Sequence, residues 1–362
     1  MSRAKIISAP FTHAITSVPR TMLLVMLALA PATAFSLYQF GWPAIILFFI
    51  IVGSSLLFEA LSLLIARKPV TPFLLDGSAV LTGWLVAMAL PPWAPWWIGV
   101  LGGFIAIVLG KHIYGGLGQN IFNPAMVARI ALLISFPLEM TFFMQPQPLF
   151  AEQSPSFMQA MDLIFMGGIN IDTLTSASTL TQIKVLQFDG QSIEGATGLV
   201  SDLPTAMLGV LPGSMGEMSA LLLLLGGVFL LLMRIISWHT PVAMFASMAL
   251  IASIAHFFNP TYHPGMLTHL FSGGFVLGAF FIATDYVTQP VSNTGRLIFG
   301  AGVGALTFFI RAYSIFPEGV GFAILLMNAM TPLIDHYIKP RIFGRSKSGE
   351  PLSDKQLGGG AQ

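Results

Sequence analysis

Ten runs of mostly apolar residues, each near the length of a bilayer-crossing helix, dominate this chain of 362 residues. A helix needs about 20 such residues to cross the hydrocarbon core, where every backbone polar group must find a partner within the protein. The runs lie near 22–39, 43–65, 77–91, 94–110, 119–137, 218–236, 240–257, 267–284, 296–312 and 318–338. Only 9% of residues are charged, whereas soluble domains carry about a quarter. An all-α polytopic membrane protein follows, and a soluble domain is excluded. Pro91-Pro92 should end the third run, because proline removes a helix donor and restrains the residue before it. The fifth run starts in a patch rich in Gly, Asn and Pro, and Asn328 and Pro332 should interrupt the tenth.

Lysine and arginine set the expected orientation, since cytoplasmic loops are enriched in them. With ten spans both termini share a side. The N-terminal arm, Arg67, Lys68, Lys111, Arg234, Arg296 and the basic tail from Lys339 all fall on that side, leaving Lys184 and Arg311 opposite. Both termini are therefore expected in the cytoplasm and the loop 138–217 in the periplasm, with the chain in a bacterial inner membrane. The expected organisation is an arm with five helices (1–137), the loop (138–217), five more helices (218–338) and a cytoplasmic tail (339–362). No cleavable signal peptide is expected, because the first apolar run is a full-length span. The net charge of +1 and the lack of a basic patch with interleaved aromatics argue against nucleic acid. Cysteine is absent, which excludes disulfides, cysteine-held iron–sulfur clusters and c-type haem. A redox centre here would be organic, or a haem on histidines, and the seven histidines show no metal spacing.

Two stretches repeat weakly. Gly77-Ser-Ala-Val-Leu-Thr-Gly in run three resembles Ser272-Gly-Gly-Phe-Val-Leu-Gly in run eight, and Gly116–Met126 resembles Gly319–Pro332. Two halves of five spans are inverted relative to each other, and such repeats place ligand sites at broken helices near their interface.

Several residues could carry chemistry. Asp172-Thr-Leu-Thr175-Ser-Ala177-Ser178-Thr179-Leu is dense in hydroxyls, which suits either a capped loop or a modification site. The segment Gly116-Leu-Gly118-Gln-Asn120-Ile-Phe-Asn123-Pro-Ala puts turn glycines and amides at membrane depth, where they fit equally a packing crossover or a ligand. Glu59 inside run two marks an ion path or a helix contact, and Asp285 at the end of run eight a helix cap, satisfied by amides and Arg296, or an ion path. In Pro212–Ser219, Glu217 reads as the first turn of a helix, complementing its dipole.

The Asp-x-x-Thr-x-Ala-Ser spacing resembles the flavin-attachment motif of the RnfD/NqrB family, membrane subunits of the Rnf electron-transport complex and of the sodium-translocating NADH:quinone reductase. That motif ends in Thr; here the slot falls on Ser178, with Thr179 next and Thr197 in Gly195-Ala-Thr-Gly as a third candidate. Gly116–Ala125 resembles a family stretch tied to a second flavin, and Thr284-Asp285-Tyr286…Asn293-Thr-Gly-Arg296 matches another, with Tyr286 where proline is usual. The resemblance runs nearly end to end, and the short N-terminal arm favours the Rnf-type branch. It implies a urea-transporter-like core, FMN esterified through its phosphate, a second non-covalent flavin (riboflavin) near Gly118, Asn120 and Asn123, and electron transfer coupling ferredoxin and NAD chemistry to Na⁺ or H⁺ movement. Its partners would be a periplasmic flavin subunit, membrane subunits, and iron–sulfur and NADH-binding subunits. The rivals are a solute channel or transporter and a flavin-free scaffold.

Overall fold

The computed structural model describes residues 17–152, 154–167, 175–189, 193, 207 and 212–340. The first helix, α1 (Val18–Ile65), covers both of the first two runs and breaks at Gly41, where φ is 71° and Pro43 follows. Next come α2 (Val70–Leu74), α3 (Ser78–Ala89) and α4 (Trp96–Phe104), which continues as a π-helix over Ile105–His112. Then α5 (Pro124–Ser135) closes the first half. Short helices α6 (Pro137–Thr141), α7 (Phe157–Met166) and α8 (Thr179–Phe188) belong to the loop 138–217. The second half holds α9 (Ala220–Leu232), α10 (His239–Phe258), α11 (Met266–Phe271), α12 (Phe275–Leu277, running into a π-helix at Gly278–Ile282), α13 (Asn293–Tyr313) and α14 (Val320–Tyr337). Among the described residues four helical stretches are long and apolar enough to cross a bilayer: Val18–Ile65, Val70–Ala89, His239–Phe258 and Asn293–Tyr313.

One apolar core runs through both halves, with Phe40, Leu47, Ile98, Phe275, Phe299 and Phe308 buried in it. The outside is also greasy: Leu57, Leu64, Leu232, Leu250 and Phe309 are exposed, as suits surfaces facing lipid tails. Small residues bring helices close in such a core. A Cβ on Gly300 would overlap the carbonyl oxygen of Thr240, so α13 meets α10 backbone to backbone.

The two halves break alike. Gly77 (φ 80°) precedes α3 and Gly273 (φ 68°) precedes α12, both in the left-handed region that glycine enters without penalty. At each break a carboxylate takes a freed N–H: Asp76 Oδ1 accepts from Ser78 N at 2.7 Å, and Glu318 Oε1 from Gly274 N at 2.6 Å. A cation from a later helix also reaches each one, Lys111 to Ser78 Oγ at 2.8 Å and Arg311 to Ser272 O at 3.0 Å.

Three expectations differ in the structure. The tenth run is one continuous helix through Asn328 and Pro332, because Asn328 and Thr331 turn their side chains to Thr288 O. The fifth starts at Pro124, leaving 113–123 irregular. Glu217 closes a 3₁₀ turn (Met215–Glu217) and accepts from Ser214 Oγ at 2.6 Å, while the following helix is capped by Ser219.

Candidate functional site

The hydroxyl-rich stretch lands at a helix start. Asp172 and Thr197 lie outside the described residues. Thr175-Ser176 forms a two-residue antiparallel ladder with Phe143-Met144, Thr175 opposite Met144. Ala177 O accepts from Gln182 Nε2 at 2.8 Å. Ser178 is the N-cap of α8: its Oγ accepts from Thr181 N at 3.3 Å and lies 2.9 Å from Thr181 Oγ1. The amides of a helix's first turn have no intrahelical partner and carry the positive end of its dipole, so they favour a phosphate. Ser178 and Thr179 are only 6% and 5% exposed, so both hydroxyls are covered in this conformation.

Helix α8 is tied to the second half. Lys184 donates to Arg311 O and Ala312 O at 2.8 and 3.2 Å, and Gln187 Nε2 donates to Tyr262 O at 2.7 Å. Burial pushes the Lys184 ammonium below its ordinary value.

The irregular segment 113–123 opens onto a cavity of about 110 Å³ between the halves. Asn120, Asn123, Lys111 and Ser78 line it from the first half, and Thr284, Asp285 and Tyr286 from the second. Asn123 caps α5, accepting from Ala125 N and Met126 N at 3.1 and 3.3 Å, and its amide donates to Ile282 O at 3.5 Å. Asn120 Nδ2 donates to Phe122 O at 3.0 Å. Gly118 has φ 86°, which shapes the turn before them. Asn123 thus closes a helix end, Asn120 braces the irregular segment, and both line the cavity.

Asp285 accepts from Val287 N and Thr288 Oγ1 at 3.3 Å each, whereas Arg296 Nε donates to Pro290 O at 3.1 Å. The expected Asp285–Arg296 contact is therefore replaced by two local ones. The Tyr286 hydroxyl donates to Ile235 O. Glu59 is a helix contact: Lys111 Nζ reaches both its oxygens at 2.9 Å, and His112 Nε2 lies 3.0 Å from Oε2. Lys111, expected among the cytoplasmic loop cations, is 2% exposed, drawn inward by this carboxylate. Its one sequence signal is an unpaired acid, Glu59, at similar depth on another span. Arg129, buried in α5, pairs with Glu318 and donates to Ala89 O, joining the halves.

A mostly helical chain with a greasy exterior, buried ion pairs and broken helices around a largely apolar cavity with a few polar groups defines an integral membrane protein. Residues 5–344 match the model of the NQR2, RnfD, RnfE family, and the chain belongs to that family. Among similar proteins is the D subunit of the ion-translocating oxidoreductase complex of Halorhodospira halophila, 47% identical over 98% of this chain and 99% of the relative. Proteins of the same description from Stutzerimonas stutzeri (50% identical; 93% of this chain, 95% of the relative) and Rhodobacter capsulatus (48%; 87% of each) are also similar.

Proposed function

We propose that the chain is the membrane flavoprotein subunit of an ion-translocating oxidoreductase complex of the Rnf type, in a bacterial inner membrane with both termini cytoplasmic. In this reading ten spans form two inverted repeats. FMN is esterified to Ser178, with Thr179 and Thr197 ranked below it, and a second flavin, riboflavin, occupies the cavity lined by Asn120 and Asn123. Bound flavins would supply reversible one- and two-electron chemistry. The chain's own residues orient them, exclude water and tune their potentials by hydrogen bonding and burial. The complex would couple ferredoxin and NAD chemistry to Na⁺ or H⁺ movement, with a periplasmic flavin subunit, membrane subunits, and iron–sulfur and NADH-binding subunits as partners.

The observation that carries the reading is the position of Ser178. The motif's acceptor slot coincides with the cap of a ten-residue helix, where a phosphodiester would lie against the first-turn amides, one of which (Thr181 N) already donates to the Ser178 oxygen. Esterification removes only the hydroxyl hydrogen and keeps the oxygen at the cap. The test is to co-express the chain with a flavin transferase, denature it in SDS and illuminate the gel with ultraviolet. A fluorescent band supports the reading. A dark band favours a solute channel or a flavin-free scaffold.

A further inference from the structure

Lys184 and Arg311 are both buried at the outer end of the second half, and neither has a carboxylate within ion-pair distance among the described residues. Lys184 spends its donors on two carbonyls. Arg311 donates to His269 O at 2.5 Å and to Ser272 O at 3.0 Å, which leaves its Nε without a partner. Carbonyl dipoles satisfy hydrogen bonds but bring no net charge, and a buried cation without a counter-charge is costly.

The two cations share a small cavity of about 10 Å³ with Gln187, His263, His269 and Pro317, and no carboxylate among the described residues lines it. His269 is 3% exposed, and both its ring nitrogens lack a partner among the described residues. Of the nearby acids, Glu318 pairs with Arg129 and accepts from the Gly274 N–H, while Glu217 accepts from the Ser214 hydroxyl and its charge is shared between Arg129 and Arg311. Among the described residues three cations (Arg129, Lys184, Arg311) thus face two carboxylates, leaving one positive charge over. The orphaned donors around the cavity are where that charge would be answered.

We propose that this cavity binds a small monovalent anion of halide size, between the Lys184 ammonium, Arg311 Nε and a ring N–H of His269. The same charge pattern repels a cation, so this outer cavity is not a cation exit. The full chain in detergent is unfolded thermally at constant ionic strength and constant sodium, with bromide replacing gluconate. Bromide should raise Tm saturably, because a ligand that binds only the folded state stabilises it by mass action. The shift should vanish in Lys184→Met and in His269→Leu. It should persist in Lys68→Met, which removes an exposed cation that donates to Gly115 O. Crystals of the wild-type chain grown in bromide should give an anomalous peak beside Arg311 Nε, a result independent of how the variants fold. Equal Tm in both salts, a shift retained by all variants, or water or a carboxylate of the chain in the cavity would overturn the proposal.

Discussion

Replacing Lys111 by Met strands the charge on Glu59. The ammonium donates to both Glu59 oxygens at 2.9 Å and to Ser78 Oγ at 2.8 Å, and the Glu59 side chain is 3% exposed. Methionine fills the space of the lysine stem and supplies no donor. Breaking a buried pair on one side costs about 3–5 kcal/mol, whereas replacing both members by apolar groups of similar volume is often neutral or stabilising. His112, 3.0 Å from Glu59, stays beside the carboxylate in the single variant, which favours the lower end, about 3 kcal/mol. The double variant Glu59→Leu/Lys111→Met should therefore recover most of the loss, giving a coupling energy of about 2–3 kcal/mol in a double-mutant cycle. Thermal or denaturant unfolding in detergent measures it. A single-variant cost under about 1 kcal/mol with no coupling, the size of an exposed pair, would refute the reasoning. Redox-driven ion uptake by vesicles holding the whole complex adds a second readout. Uptake kept by the stable double variant means that Glu59 is structural, and uptake lost at unchanged stability returns it to the ion path.

Asn123→Ala should destabilise by about 1 kcal/mol through loss of the α5 cap, and Asn123→Ser should restore most of it; thermal unfolding distinguishes them. Gly273→Ala should cost more than Gly118→Ala: both have positive φ, but a Cβ at Gly273 would meet Leu180 Cδ1 at 2.8 Å while Gly118 faces open space. Denaturant midpoints of the two variants check the order. Burial, helped by His256, pushes the His263 ring below its ordinary 6.5, so the unfolded chain binds more protons below that value and stability should fall as pH drops through 6.5. His263→Gln should flatten that slope in pH-dependent unfolding.

The helices were legible where apolar length alone decides, as in α10 and α13, and the end of α3 before Pro91-Pro92 was legible from proline chemistry. Gly77 and Gly273, in the two stretches that read as a weak repeat, both have positive φ at helix breaks. What stayed hidden depends on pairing across helices. Lys111 reads as a loop cation until Glu59, 52 positions earlier, is seen beside it. Pro332 reads as an interruption because the partner that anchors that part of α14, Thr288 O, lies about 40 residues away in sequence. The cavity between the halves was legible only through its amides. Lys111 and Tyr286 reach it by folding.

The central claim is that a cysteine-free membrane chain carries flavin on the hydroxyl that caps α8. Mass spectrometry of the peptide containing Ser178, from protein made with a flavin transferase, tests it most directly. The account predicts an added mass of FMN less one water on Ser178, lost in Ser178→Ala and kept in Thr179→Ala. An unmodified peptide, or a modification that survives Ser178→Ala, would contradict it.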